Sequence, residues 1–144
     1  MNQIPQAVAH IRGGERYPQI RGTMQLFQRK DGVLVTVQVK GLPETATNFF
    51  ALHIHEGADC GGADFSGTKG HYNPDGTPHP RHAGDLPPLL SCKGKAYLAV
   101  LTDRFKISEV IGRTIVIHIA TDDFTTQPAG NAGSKIACGV IKRG

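Results

Sequence analysis

Between Gly32 and Leu42 the chain reads GVLVTVQVKGL: Val33, Val35, Val37 and Val39 recur at every second residue, with Leu34, Thr36, Gln38 and Lys40 between them. Successive side chains alternate between two faces only in an extended strand, so this run predicts a strand with one buried face. Asp31-Gly32 supplies the positive backbone angle that a tight hairpin needs, and Ile20 to Gln28 on the other side of that turn alternates too. Ala7 to Arg12, Phe49 to His55, Ala96 to Thr102, Thr114 to Ile119 and Ile136 to Ile141 read as further strands, and only Arg104 to Val110 suits a short helix. Two stretches lack any period, Glu56 to about Lys93 and Thr121 to Ser134, and read as long loops. Short strands punctuated by turns predict an all-β fold: a single-domain antiparallel Greek-key β-sandwich or flattened barrel of about eight strands, spanning residues 1–144, with two long functional loops.

At 144 residues the chain is too short for a TIM barrel or a two-domain nucleotide-binding enzyme. With 39% hydrophobic and 19% charged residues it is neither disordered nor membrane-embedded, and no apolar run reaches the ~20 residues of a spanning helix. Met1 to Gln6 has no basic stretch followed by an apolar one. The expected location is therefore cytoplasmic, or periplasmic or secreted if a leader has been removed. Net charge is +4, with lysine and arginine spread along the chain. That spread predicts a solvated basic surface with no nucleic-acid and no membrane partner, and a positive field that draws small anions towards a cleft.

Six of the seven histidines fall between positions 53 and 118. His53-Ile54-His55 lies in a predicted strand, where a spacing of two puts both imidazoles on one face, able to reach one metal. Taken alone, such a pair is as often two ordinary strand histidines. The following loop adds His71, His79, His82 and Asp85, three imidazoles and a carboxylate, which is the ligand set and count that zinc prefers. A loop this rich in Gly and Pro has little core of its own, so a bound metal would supply the energy that orders it. His118 sits opposite Ile115 and Ile117 in its strand and is the expected third ligand beside the pair. A nitrogen-only pocket suits Cu(II), and a closed pocket with a carboxylate suits structural Zn(II). Spacing leaves open whether His71 serves one metal or both.

The segments LHIHEGADC (52–60), GHYNPDGTPHPRHAGDLP (70–87), IGRTIVIH (111–118), Asp122-Asp123 and GNAGSKIACGVI (130–141) together resemble the copper/zinc superoxide dismutase family, in its bacterial form. Five motifs in order across nearly the whole chain make the resemblance specific. The family is itself an example of a sandwich fold, of diffusion-limited catalysis and of electrostatic steering, so those properties come with the resemblance. The resemblance implies copper ligands His53, His55, His71 and His118, and zinc ligands His71, His79, His82 and Asp85, with His71 bridging the two. It implies that Asp122 accepts hydrogen bonds from one ligand of each metal and that Cys60 and Cys138 form a disulfide. Cys92 has no partner in the pattern and is expected to be a small buried hydrophobe. The implied reaction is disproportionation of superoxide to dioxygen and hydrogen peroxide, with copper as the redox ion and His71 as a proton carrier. The implied partner state is a homodimer, with monomers also known in the family.

One departure stands out. Lys135 occupies the place of a family arginine that attracts superoxide. Lysine keeps the charge but loses the planar two-donor fork, so the expectation is a working enzyme, somewhat slower and strongly salt-dependent. Lys135 as a plain surface charge is the bland alternative. A zinc hydrolase also uses H-x-H, but Glu56-Gly57-Ala58 follows His55 where a metallo-β-lactamase pattern needs Asp-His. A non-catalytic dismutase-like metal-binding or chaperone module is the remaining alternative, and such relatives usually lack a copper ligand.

Overall fold

Eight strands form where period-two patterning and turn residues put them: β1 (Ala7–Gly13), β2 (Arg21–Arg29), β3 (Gly32–Lys40), β4 (Phe49–His55), β5 (Asp85–Leu90), β6 (Ala96–Thr102), β7 (Thr114–His118) and β8 (Lys135–Arg143). The computed structural model describes residues 4–144, so Met1 to Gln3, part of the stretch read for a leader, lie outside the described residues. Among the described residues every strand pair is antiparallel, in the order β5-β4-β7-β8-β1-β2-β3-β6. β1, β2 and β3 run as a meander, after which β3 pairs with β6 rather than β4, which is the Greek-key crossing. The sheet curls until its edge strands β5 and β6 approach each other. Val33, Val35 and Val37 of β3 face inward with Met24, Leu26, Phe50, Leu52, Ile115 and Ile117, all essentially inaccessible to water.

Three details differ from the sequence expectation. β5 lies inside the stretch read as a loop, because Asp85-Leu86-Pro87-Pro88-Leu89-Leu90 carries two prolines that cannot donate to a ladder. An edge strand tolerates them, and β5 is an edge. The helix, α1, is limited to Ile107–Val110. Cys92 is exposed rather than buried, in a tight turn closed by Cys92 N donating to Lys95 O at 2.7 Å.

The long β4–β5 connection does not hang free. Tyr72 N donates to Ile54 O at 2.8 Å and Ile54 N to Gly84 O at 2.8 Å, so the connection lies along β4 as a partial extra strand. The Cys60–Cys138 disulfide ties its first part to β8. His55 and His71 sit opposite each other in an isolated bridge, and His53 pairs with Asp85 on β5 and Val116 on β7. The register therefore brings the loop histidines to the β4 pair.

Candidate metal centre

A neutral imidazole has one N–H and one lone pair, so its hydrogen bonds decide which nitrogen is free. His53 Nε2 donates to Asp122 Oδ2 at 2.8 Å, which leaves Nδ1 as the acceptor. His55 Nδ1 donates to Lys69 O at 2.8 Å and His118 Nδ1 to Gly133 O at 3.2 Å, because a carbonyl can only accept. Both of their Nε2 lone pairs then face each other at 3.2 Å. His53 Nδ1 and His71 Nε2 are buried without any hydrogen-bond partner. Ring nitrogens of His53, His55, His71 and His118 all lie within 4.8 Å of one another. Converging lone pairs in a buried site repel, and a cation among them turns the repulsion into coordination.

The second cluster follows the same logic. His71 Nδ1 lies 2.9 Å from Asp85 Oδ1, while His79 Nδ1 and His82 Nδ1 lie 3.0 and 3.2 Å from Oδ2. His79 Nε2 already donates to Asp122 Oδ1 at 2.8 Å, so its Nδ1 presents a lone pair to a carboxylate oxygen that is also an acceptor. This donor set of three imidazoles and one carboxylate suits a divalent ion. The mutual 4.8 Å group here is His53, His71, His79 and Asp85, and His82 joins through His71 Nδ1 at 3.0 Å and Asp85. His71 and His53 thus belong to both groups.

Burial keeps His53, His55, His82 and His118 neutral and ready to ligate. It pushes His55 down to about 2 and His118 to about 3, and lowers His53 and His82 as well. Burial works to raise the Asp122 carboxyl, but hydrogen bonds from His53, His79 and the Phe124 amide outweigh it and hold Asp122 well below the usual carboxylate range. In Asp85 likewise burial raises, and the His71 hydrogen bond and charge prevail. Both carboxylates stay ionised.

Lys135 pairs with His118 at the start of β8. Its Nζ donates to Thr68 Oγ1 at 2.7 Å and to Lys69 O at 3.0 Å, so the ammonium is anchored to the loop rather than loose in solvent. Burial lowers its pKa.

Three residues of the site escaped the sequence reading. Gln127 brackets the His79 peptide, accepting from His79 N and donating to His79 O, both at 2.8 Å. Arg104 Nη1 donates to Pro80 O at 2.6 Å and His82 O at 3.3 Å, closing the same loop from outside. Gly130 has φ of 69°, and a Cβ there would meet Asp122 Oδ1 at 2.0 Å and His79 Nε2 at 2.6 Å, so the position requires glycine. Only Gly130 had a signal, the Gly-Asn-Ala-Gly run. The other two act through backbone atoms that residue spacing does not mark. Gln127→Ala is expected to speed zinc loss to a chelator about tenfold with the copper-site spectrum unchanged. Unchanged zinc release would show that the bracket does not hold His79.

Residues 20–141 match the family described as copper/zinc superoxide dismutase (SODC). A protein named Superoxide dismutase [Cu-Zn] 2 from Aquifex aeolicus is 37% identical over 139 residues, covering 86% of this chain and 80% of that one. Superoxide dismutase [Cu-Zn] from Legionella pneumophila is 37% identical over 129 residues, covering 84% and 77%. Among solved structures, a double mutant of a SOD-like protein from Bacillus subtilis superposes with a TM-score of 0.79 at 26% identity, covering 94% of this chain and 96% of that one.

Proposed function

The chain belongs to the copper/zinc superoxide dismutase family, and we propose that one domain spanning residues 1–144 carries the family's activity at the two adjoining histidine clusters. It is an oxidoreductase that disproportionates superoxide to dioxygen and hydrogen peroxide with copper and zinc. His53 Nδ1 and Nε2 of His55, His71 and His118 would hold copper, and His71, His79 and His82 with Asp85 would hold zinc. The observation that carries this is the tautomer pattern: the second ring nitrogen of His53, His55 and His118 is spent on a carboxylate or carbonyl, and that of His71 lies against the Asp85 carboxylate. A non-catalytic module lacking copper ligands is disfavoured by the complete set.

Bound copper supplies one-electron exchange with superoxide, and the rest is done by the chain. His71 Nε2 faces the copper set while its Nδ1 stays with Asp85, so Nε2 is the atom that takes and returns a proton. Asp122 fixes the rings of His53 and His79. The Lys135 ammonium, whose charge bears on both His55 and His118, draws the anion inward.

Superoxide decay and copper spectroscopy on protein loaded with both metals test the assignment. His118→Ala is expected to remove activity and change the copper spectrum, while His10→Ala keeps both; equal activity in the two variants overturns it. Lys135→Ala is expected to lower kcat/KM about tenfold at low ionic strength and to flatten its salt dependence, a size of steering effect that this family itself exemplifies. A wild-type rate with its full salt dependence in that variant would reduce Lys135 to a surface charge.

The Cys60–Cys138 disulfide supports the periplasmic or secreted location over the cytoplasmic one. Among the described residues no helix is long and apolar enough to cross a membrane. The proposal extends to a homodimer, supported by Leu101 and Phe124, which stand 53% and 45% exposed beside Pro87. A single-chain mass by sedimentation at micromolar concentration would overturn the pairing.

A further inference from the structure

Lysine and arginine are dispersed in the sequence, but the strand register gathers four of them. Arg12 on β1 stands opposite Arg21 on β2, and Arg21 stands opposite Lys40 on β3. Val39 pairs with Ala96, so Lys95, one residue before Ala96, continues the row beside Lys40. All four side chains are exposed and line one open groove of about 780 Å³ formed by β1, β2, β3, β6 and the turn before β6. With strands about 4.8 Å apart, the row extends over roughly 14 Å.

Like charges directly opposite each other on neighbouring strands destabilise a sheet, and no carboxylate among the described residues pairs with them here. No acidic residue lines the groove. Among the described residues every side-chain ion pair involves a histidine, and none involves lysine or arginine. Within the row, the hydrogen bonds formed are those of Arg21 Nη1 to Pro18 O and Ile20 O at 3.3 and 3.4 Å.

A second row runs beside the first, two residues along each strand. Thr23 stands opposite Gln38, and Gln38 opposite Tyr97. All three line the groove, and Tyr97 is 64% exposed. The two rows lie about 7 Å apart along the strands. One row thus offers positive charge, and the other a hydroxyl, an amide and an aromatic ring.

We propose that this groove binds single-stranded nucleic acid, with phosphates along Arg12, Arg21, Lys40 and Lys95 and bases over Thr23, Gln38 and Tyr97. A single phosphate or lipid headgroup engages only part of a row this long, and a flat bilayer does not follow a groove. Cations tracking a backbone beside an aromatic platform are the two elements that single-strand binding combines. The groove shares no residue with the metal centre, so this is a second function on a separate face.

Fluorescence anisotropy of a labelled thymidine hexamer with the metal-loaded protein tests it. Four phosphate contacts predict a slope of log K against log salt of about −2.8, falling to about −1.4 in the double variant Arg12→Gln, Arg21→Gln. Tyr97→Ala is expected to weaken binding about tenfold at unchanged slope, because stacking carries no counterion release. Arg21→Gln alone is expected to raise Tm at low salt, which shows that the altered surface still folds. A strand of the same length without bases is expected to bind about tenfold more weakly than the thymidine hexamer. Equal binding of the baseless strand or of a heparin fragment of equal charge, preference for phosphatidylglycerol vesicles, or a slope near zero would each overturn the proposal.

Discussion

Asp122→Asn is expected to weaken binding of one of the two metals by about 10–100-fold, while the other is held far less affected. The Asp122 carboxylate accepts from His53 Nε2 through one oxygen and from His79 Nε2 through the other, both at 2.8 Å. An asparagine has one oxygen and one NH2, so it can accept from only one of those rings. The other ring meets a donor and must move its proton from Nε2 to Nδ1. For both rings Nδ1 is the metal-facing atom, so one site loses a ligand lone pair while the protein keeps almost the same shape. Competition with a chelator reads both affinities, and copper spectroscopy shows whether the copper side is hit. Wild-type affinity for both metals would mean that Asp122 plays no part in fixing the rings.

Cys60→Ser is expected to cost the metal-free protein about 4–5 kcal/mol. The Cys60–Cys138 bridge closes a loop of 78 residues in sequence separation, and the unfolded chain gains the entropy of that loop when the bridge is lost. Urea denaturation under oxidising conditions gives the difference, and a thiol reductant should lower the wild type to the level of the variant while leaving the variant unchanged. A loss below about 1 kcal/mol would show that the unfolded chain holds the two segments together without the bridge. The same bridge lies on the segment that carries Lys69, whose carbonyl orients His55. Reduction is therefore also expected to loosen the copper side.

The strands were readable because Val33, Val35, Val37 and Val39 repeat the period of a half-buried sheet. The candidate ligands were readable as a cluster because imidazoles and carboxylates are chemically distinct and gathered in motifs, and the structure brings them together. β5 was hidden by Pro87 and Pro88, which only its place at an edge makes tolerable. Cys92 was misplaced because its chemistry suits a core, whereas the surrounding turn, with φ of 52° at Lys93 and 82° at Gly94, lies at the surface. Gln127 and Arg104 were missed because both act on peptide groups of the zinc-side loop, which any sequence would supply. The row from Arg12 to Lys95 is invisible in the linear order, since only strand pairing makes neighbours of residues so far apart.

One peptide oxygen ties two tasks together. Lys69 O accepts from His55 Nδ1 at 2.8 Å and from Lys135 Nζ at 3.0 Å. Any shift of that peptide tilts the His55 ring and drags the Lys135 ammonium at once. On the proposed assignment, redesign of substrate attraction at position 135 would therefore retune the redox ion as well, and a variant built for faster capture would need checking for an altered reduction potential.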